Sequence, residues 1–310
     1  MRATIRMNKS VVRQRAFTLV ELLVVIGIIG VLISILLPTL NKARQRGITV
    51  QCASNLRQIA VGWRMYVEAY KGIAPPARTP LIRGSRNLYD LGQGPTYRPR
   101  WYEMVGANMK QFAFNEPLPA DDDDRQISNP MFLCPAVPDW TNARNTAYGY
   151  NYQFLGNVRE RTDKKFVNFP VNVSNINAAE TVLAADSMGS AAGHQTNTRR
   201  AYQVNGTADQ NAWGNHGYNL DPPRLTATSD YCEWRHRNPQ DRSAPDPRHS
   251  GRTNAVFCDG HVETATLREL GYVVNDNGRV IDDGSVHCRN NKWSGSGRDD
   301  DPPSLIPGRK

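Results

Sequence analysis

The residues able to hold a metal or act on a substrate are few and scattered. Cys52, Cys134, Cys232, Cys258 and Cys288 show no C-x2-C or other zinc-type spacing. His249, Asp259 and His261 lie closer together, the last two being two positions apart, and that invites a metal-ligand reading. Yet Asp259-Gly260 is also the two-residue signal for a type I′ hairpin turn, in which glycine supplies a positive φ cheaply. A turn there breaks the alternation that would put Asp259 and His261 on one face of a strand. The turn reading is preferred: Asp259 and Gly260 make the turn, His249 hydrogen-bonds nearby backbone, and no metal or other cofactor is expected. No nucleophile motif stands beside the histidines, so an enzyme is not expected either. The acidic run Asp121 to Asp124 lacks the alternating ligand spacing of a calcium loop and reads as a solvated loop.

Glu21 is chemically the most unusual residue. It is the one charge in the 21-residue run FTLVELLVVIGIIGVLISILL from Phe17 to Leu37. At about 1.5 Å per residue this run spans roughly 30 Å, the thickness of a bilayer's hydrocarbon core. A carboxylate inside such a core costs on the order of a few kcal/mol, so its presence calls for a purpose. Residues 1–16 carry five of the nine net positive charges and no acid. A basic leader before an apolar run orients a membrane helix, with the leader cytoplasmic and the remainder across the membrane, and is not a nucleic-acid surface. A cleaved secretory signal fits less well. The run exceeds the usual ~7–15 residues, and Pro38-Thr39-Leu40-Asn41-Lys42-Ala43 offers no small-x-small site. With 39% hydrophobic and 22% charged residues, the whole is neither a disordered chain nor a multi-span membrane protein.

The segment Arg13-Gln14-Arg15-Ala16-Phe17-Thr18-Leu19-Val20-Glu21-Leu22-Leu23-Val24-Val25-Ile26 resembles the processing and methylation segment of type IV prepilins and type II secretion pseudopilins. The resemblance implies cleavage by a prepilin peptidase between Ala16 and Phe17 and N-methylation of Phe17. It also implies a meeting between the Glu21 carboxylate and the terminal amine of a neighbouring subunit. Pairing of that kind offsets the cost of a carboxylate in an apolar medium. Ala16 stands where the family usually has glycine. A second resemblance lies in the stretch 248–263, where His249, nine residues and Asp259-Gly260 are similar to the H-X9-DG region of a large family of prepilin-like proteins. Cys52 to Ile59, the Cys134-Pro135 step and Tyr148 to Tyr152 extend it. What this implies is a pilin-like α+β fold, with a long amino-terminal helix, transmembrane in its first half, packed on an antiparallel β-sheet with long loops. The function implied is a non-enzymatic subunit of a type IV pilus or a type II secretion pseudopilus-like assembly, with other pilin or pseudopilin subunits as partners through the helix. The chain would be a single-pass inner-membrane protein with an extracytoplasmic body, assembled into a periplasmic or cell-surface fibre. The rival reading is an extracytoplasmic binding or hydrolytic protein tethered by the same helix.

The elements that must position these residues are partly legible. Ile48, Cys52, Leu56, Ile59, Trp63, Tyr66 and Tyr70 recur every three or four residues, which predicts a helical stripe laid on the body. Pro38 kinks this helix without ending it, and Gly72 with Pro75-Pro76 stops it. The organisation expected is a leader (1–16), a transmembrane helix (17–40), its continuation (41–72), a body (73–292) and a disordered tail (293–310) rich in Gly, Asp and Pro. Within the body, Met131 to Cys134, Tyr148 to Tyr152 and Thr181 to Ala185 read as short strands. An extracytoplasmic body meets an oxidising compartment, so up to two disulfides are expected. Cys52 on the stripe and Cys134 at the end of an apolar piece are one expected pair, with Cys232 and Cys288 competing for either partner.

Overall fold

The computed structural model describes residues 19–80, 87–137, 141–160, 166–200, 211–232, 241–282 and 284–304. The fold is α+β. It opens with helix α1 (Leu19–Ala69), which runs unbroken through Pro38. Pro38 has no N–H to give the Ser34 carbonyl, so the ladder loses one bond there while the surrounding periodicity carries the helix on. Ser34 and Thr39 return their hydroxyls to the carbonyls of Val31 and Leu36, 2.7 Å each, and so satisfy them within the helix. An apolar surrounding requires that of a spanning segment. The chain divides into two units, one ending at Arg46 and one starting at Gly47. In the first, every residue from 19 to 46 is exposed.

In the second unit α1 buries Cys52, Asn55, Leu56, Ile59, Ala60, Gly62, Trp63 and Tyr66, the expected stripe widened by small and polar residues. Tyr70, expected on that stripe, is exposed and stacks on Tyr66 with ring centroids 4.1 Å apart. Burying Leu56 and Ile59 contributes about 1.5–3 kcal/mol each. The helix ends in a Schellman arrangement: Gly72 N–H reaches Val67 O (2.8 Å) and Lys71 N–H reaches Glu68 O (3.3 Å). Lys71 takes the left-handed position at φ 56°, one residue before the expected glycine.

The remaining elements are short. They are β1 (Leu88–Asp90), β2 (Pro95–Tyr97), α2 (Trp101–Asn108), β3 (Tyr148–Tyr150), α3 (Tyr152–Leu155), β4 (Gly156–Glu160) and β5 (Phe166–Pro170). After these come β6 (Val182–Asp186), β7 (Thr253–Phe257), β8 (Val262–Ala265), β9 (Val273–Val274) and β10 (Val280–Ile281). The central sheet is antiparallel with order β3-β6-β7-β8, and the two-stranded ribbons β1-β2, β4-β5 and β9-β10 come before it, between β3 and β6, and after it in sequence. One core joins α1 and α2 to Tyr148, Tyr150, Leu183, Ala184 and Val256. A second gathers Val182, Ala185, Ala255, Phe257, Leu270, Tyr272 and Trp293. Along β7 the two sets alternate, as a sheet buried on both faces requires. Along β6 they do not. Val182 pairs with Phe257, Ala184 with Val256 and Ala185 with Ala255, so Leu183 is an extra residue in a β-bulge. The bulge puts Asp186 on the α1 side of the sheet, opposite to Val182.

Several expectations are corrected. Met131 to Cys134 is not a strand: Pro130–Phe132 is a turn of 3-10 helix, with Asn129 Oδ1 accepting Met131 N–H at 3.0 Å. Asn55 of α1 clamps this turn by donating to the carbonyls of Pro130 (3.0 Å) and Leu133 (2.9 Å). The loop after β7 is not a two-residue type I′ turn. Gly260 N–H bonds Phe257 O and Phe257 N–H bonds His261 O, both 2.9 Å, while only Gly260 has a positive φ, 95°. That is a three-residue loop with glycine in the left-handed place. A tight turn with two positive φ values does exist, ten residues earlier, at Ser250 (56°) and Gly251 (82°), where His249 and Arg252 bond each other's backbone. The run Asp121 to Asp124 is a loop with Asp121, Asp122 and Asp124 exposed, as expected, and arginines pair with it as well. Asp121 pairs with Arg78 at 2.6 Å, and Asp123 bridges Arg100 and Arg144. Trp293, which opens the segment expected to be disordered, is fully buried and donates to Leu270 O at 2.9 Å. Asp299 and Asp301 after it grip Arg224 at 2.6 and 3.0 Å.

Candidate functional site

α1, the segment after the 3-10 turn, the end of β6 and the approach to β7 each bring one side chain to a single buried point. They are Cys52, Cys134, Asp186 and His249, and one donor atom from each lies within 4.8 Å of all the others. The first three are fully buried and His249 is 5% exposed. Cys52 Sγ donates to Asp186 Oδ1 at 3.2 Å, His249 Nε2 stands 3.2 Å from Asp186 Oδ2, and the same nitrogen is 3.6 Å from Cys134 Sγ. Each position has a local cause. Cys52 belongs to the buried helix stripe, the bulge turns Asp186 toward α1, and the turn at Ser250-Gly251 places His249 just ahead of β7.

A surrounding layer holds these four. Asn254 N–H donates to Asp186 Oδ2 at 2.9 Å, Tyr148 Oη donates to Cys52 Sγ at 3.6 Å, and Thr49 Oγ1 meets His249 Nδ1 at 3.4 Å. Burial pushes the Cys52 thiol far up, with the Cys134 hydrogen bond and the Asp186 charge adding to it. The hydrogen bond from Cys52 and the contact with His249 prevail over burial at Cys134 and lower its thiol to about 6. Burial works against a charged imidazole, but hydrogen bonds to Asp186 and Cys134 prevail and raise His249 to about 9. Burial would also raise Asp186. The His249 hydrogen bond and the positive charges of Arg248 and His249 keep it below the ordinary carboxylate range. A group so enclosed can store charge or coordinate an ion, but offers no approach to a substrate.

His249 thus turns its side chain into this cluster rather than onto nearby backbone. Asp259 and His261, its sequence neighbours in the H-X9-DG stretch, are half-exposed and contact each other at 2.6 Å, with His261 stacked on Phe257. Asp259 Oδ1 also accepts His261 N–H, and its carbonyl accepts from Arg64 of α1 at 3.1 Å. The turn ties the hairpin to the helix. Among the described residues no disulfide joins the cysteines, and Cys52 and Cys134, the expected disulfide partners, are neighbours in the cluster. The residue that sequence reasoning missed is Asp186. The available signal was a carboxylate closing the apolar piece Val182-Leu183-Ala184-Ala185.

At the other end of the chain, Glu21 lies in the first turn of α1, among exposed apolar residues. Ala16 and Phe17 lie outside the described residues. Residues 12–37 match the family described as the prokaryotic N-terminal methylation motif. Such a motif marks a prepilin-type, peptidase-processed and membrane-associated amino terminus. Among the described residues α1 is the one helix long and apolar enough to cross a membrane. No curated protein and no solved structure matches the chain.

Proposed function

We propose that this chain is a non-enzymatic subunit of a type IV pilus or type II secretion pseudopilus-like assembly. Prepilin peptidase cuts between Ala16 and Phe17, the new terminal amine is methylated, and α1 holds the subunit in the inner membrane with its body outside the cytoplasm. Glu21 then meets the terminal amine of a neighbouring subunit as the helices pack into a fibre. The observation that carries this reading is the methylation motif over residues 12–37 followed at once by a helix whose residues 19–46 are apolar in their first part and exposed throughout. In the single chain nothing covers that surface, and lipid or other helices of the same kind supply what covers it.

Mass spectrometry of the amino-terminal peptide, from protein produced together with a prepilin peptidase, tests the reading. An N-methylated Phe17 terminus is expected. A chain that keeps Met1 and remains in the membrane supports the tether instead.

A further inference from the structure

The geometry points to a structural zinc site formed by Cys52, Cys134, Asp186 and His249. Two thiolates, an imidazole and a carboxylate are the ligand types zinc accepts, and four of them without an open position is the usual closed structural set. A tetrahedral ion ~2.0–2.3 Å from each donor sets the donors about 3.3–3.8 Å apart. Three edges of the present set measure 3.2, 3.2 and 3.6 Å, close to that figure. His249 Nε2 faces both Asp186 and Cys134, while its Nδ1 meets Thr49 Oγ1, so one ring nitrogen is free to ligate while the other is oriented from behind. Asn254 N–H does the same for the Asp186 carboxylate. Binding requires both thiols and the His249 nitrogen facing the ion to be without their protons, and Arg248, whose side chain lies beside the cluster, offsets part of the remaining negative charge.

The ligands come from four distant parts of the sequence, and all lie in the unit that starts at Gly47. The ion would therefore fasten α1 to the sheet and to the two loops that carry Cys134 and His249. Complete burial excludes a substrate, so the role is cross-linking, not catalysis.

The test uses the full-length chain purified in detergent from zinc-supplied cells. Elemental analysis is expected to give about one zinc per chain, retained in Cys288→Ser and lost in His249→Ala and Cys134→Ser. Because either variant can fail to fold, the wild-type protein is also alkylated under native conditions before and after a zinc chelator. Cys52 and Cys134 are expected to be unlinked, protected before chelation and modified after it, and a chelator-induced fall in unfolding temperature should reverse on adding zinc chloride. Two results overturn the proposal. One is a Cys52–Cys134 disulfide in the native protein. The other is less than a tenth of an equivalent of zinc that does not rise on incubation with zinc chloride.

Discussion

Gly260 shows how much a single residue decides. Its φ of 95° is forbidding for a side chain branched at Cβ, yet a Cβ there would meet nothing within 4 Å. The cost of Gly260→Val is therefore one of backbone conformation and not of crowding. We expect a loss of about 1–3 kcal/mol in chemical unfolding of the detergent-solubilised chain. Gly260→Asn, a residue tolerant of the left-handed region, should recover most of it. An equal loss in both variants would place the cost elsewhere. At the proposed cleavage point between Ala16 and Phe17, side-chain size decides as well. The peptidase of the resembled family accepts a very small residue, so Ala16→Gly should be cut at least as fast as the native chain and Ala16→Leu should remain uncut. A gel-mobility assay with co-produced peptidase reads the difference. The residues of the buried cluster were hardest to read in advance. The H-X9-DG stretch offers His249 only its sequence neighbours, whereas its contacts, Cys134 and Asp186, are 115 and 63 positions away. No spacing rule spans such distances; only the folded sheet brings them together.

Among the elements, α1 was almost fully legible, because a period of three to four over several turns survives a mid-helix proline. Its end was legible to within a few residues. The sequence points to Gly72, and Lys71 and Gly72 both take a positive φ, 56° and 88°; Lys71, which is exposed, pays about 1–2 kcal/mol for that conformation. Lys71→Gly should stabilise the protein by about 0.5–1 kcal/mol, part of the relief being offset by the freer unfolded chain. A lower thermal midpoint for that variant would mean that the lysine makes a contact worth more than the strain. Met131 to Cys134 reads as a strand because it is a short, wholly apolar run, which periodicity alone does not tell from a helical turn such as Pro130–Phe132. The cue lay in Asn129-Pro130, a capping residue followed by a proline, which favours a helical start over an extended one. The hairpin after β7 was placed correctly but given the wrong turn. Asp259-Gly260 matches the two-residue signal, and the sequence does not reveal that Cys258 joins the loop.

At the scale of the molecule, the two units separate two jobs. Residues 19–46 carry exposed apolar surface; residues after them close around two cores and a buried polar cluster. Glu21→Val tests the first job alone. Removing a carboxylate from an apolar helix should leave membrane insertion and cleavage unchanged. Recovery in sheared fibre fractions should fall at least tenfold, and undiminished recovery would refute the proposed pairing with a neighbour's amine. The ends of the chain announced themselves through motif and periodicity. The middle did not, since its strands are two to five residues long and its loops are held by contacts such as Arg224 with Asp299, far apart in sequence.

The bulge in β6 also fixes where the chain can change length. Val182 and Ala185 are each paired to β7 on either side of Leu183. A chain lacking Leu183 keeps both pairings and keeps Asp186 toward the helix, giving up one buried leucine. β7 has no such slack. Removing one residue from it reverses the faces of all that follow, sending Val256 toward the second core and Phe257 toward the helix. Single-residue insertions and deletions are thus absorbed by one strand of the central pair and refused by the other.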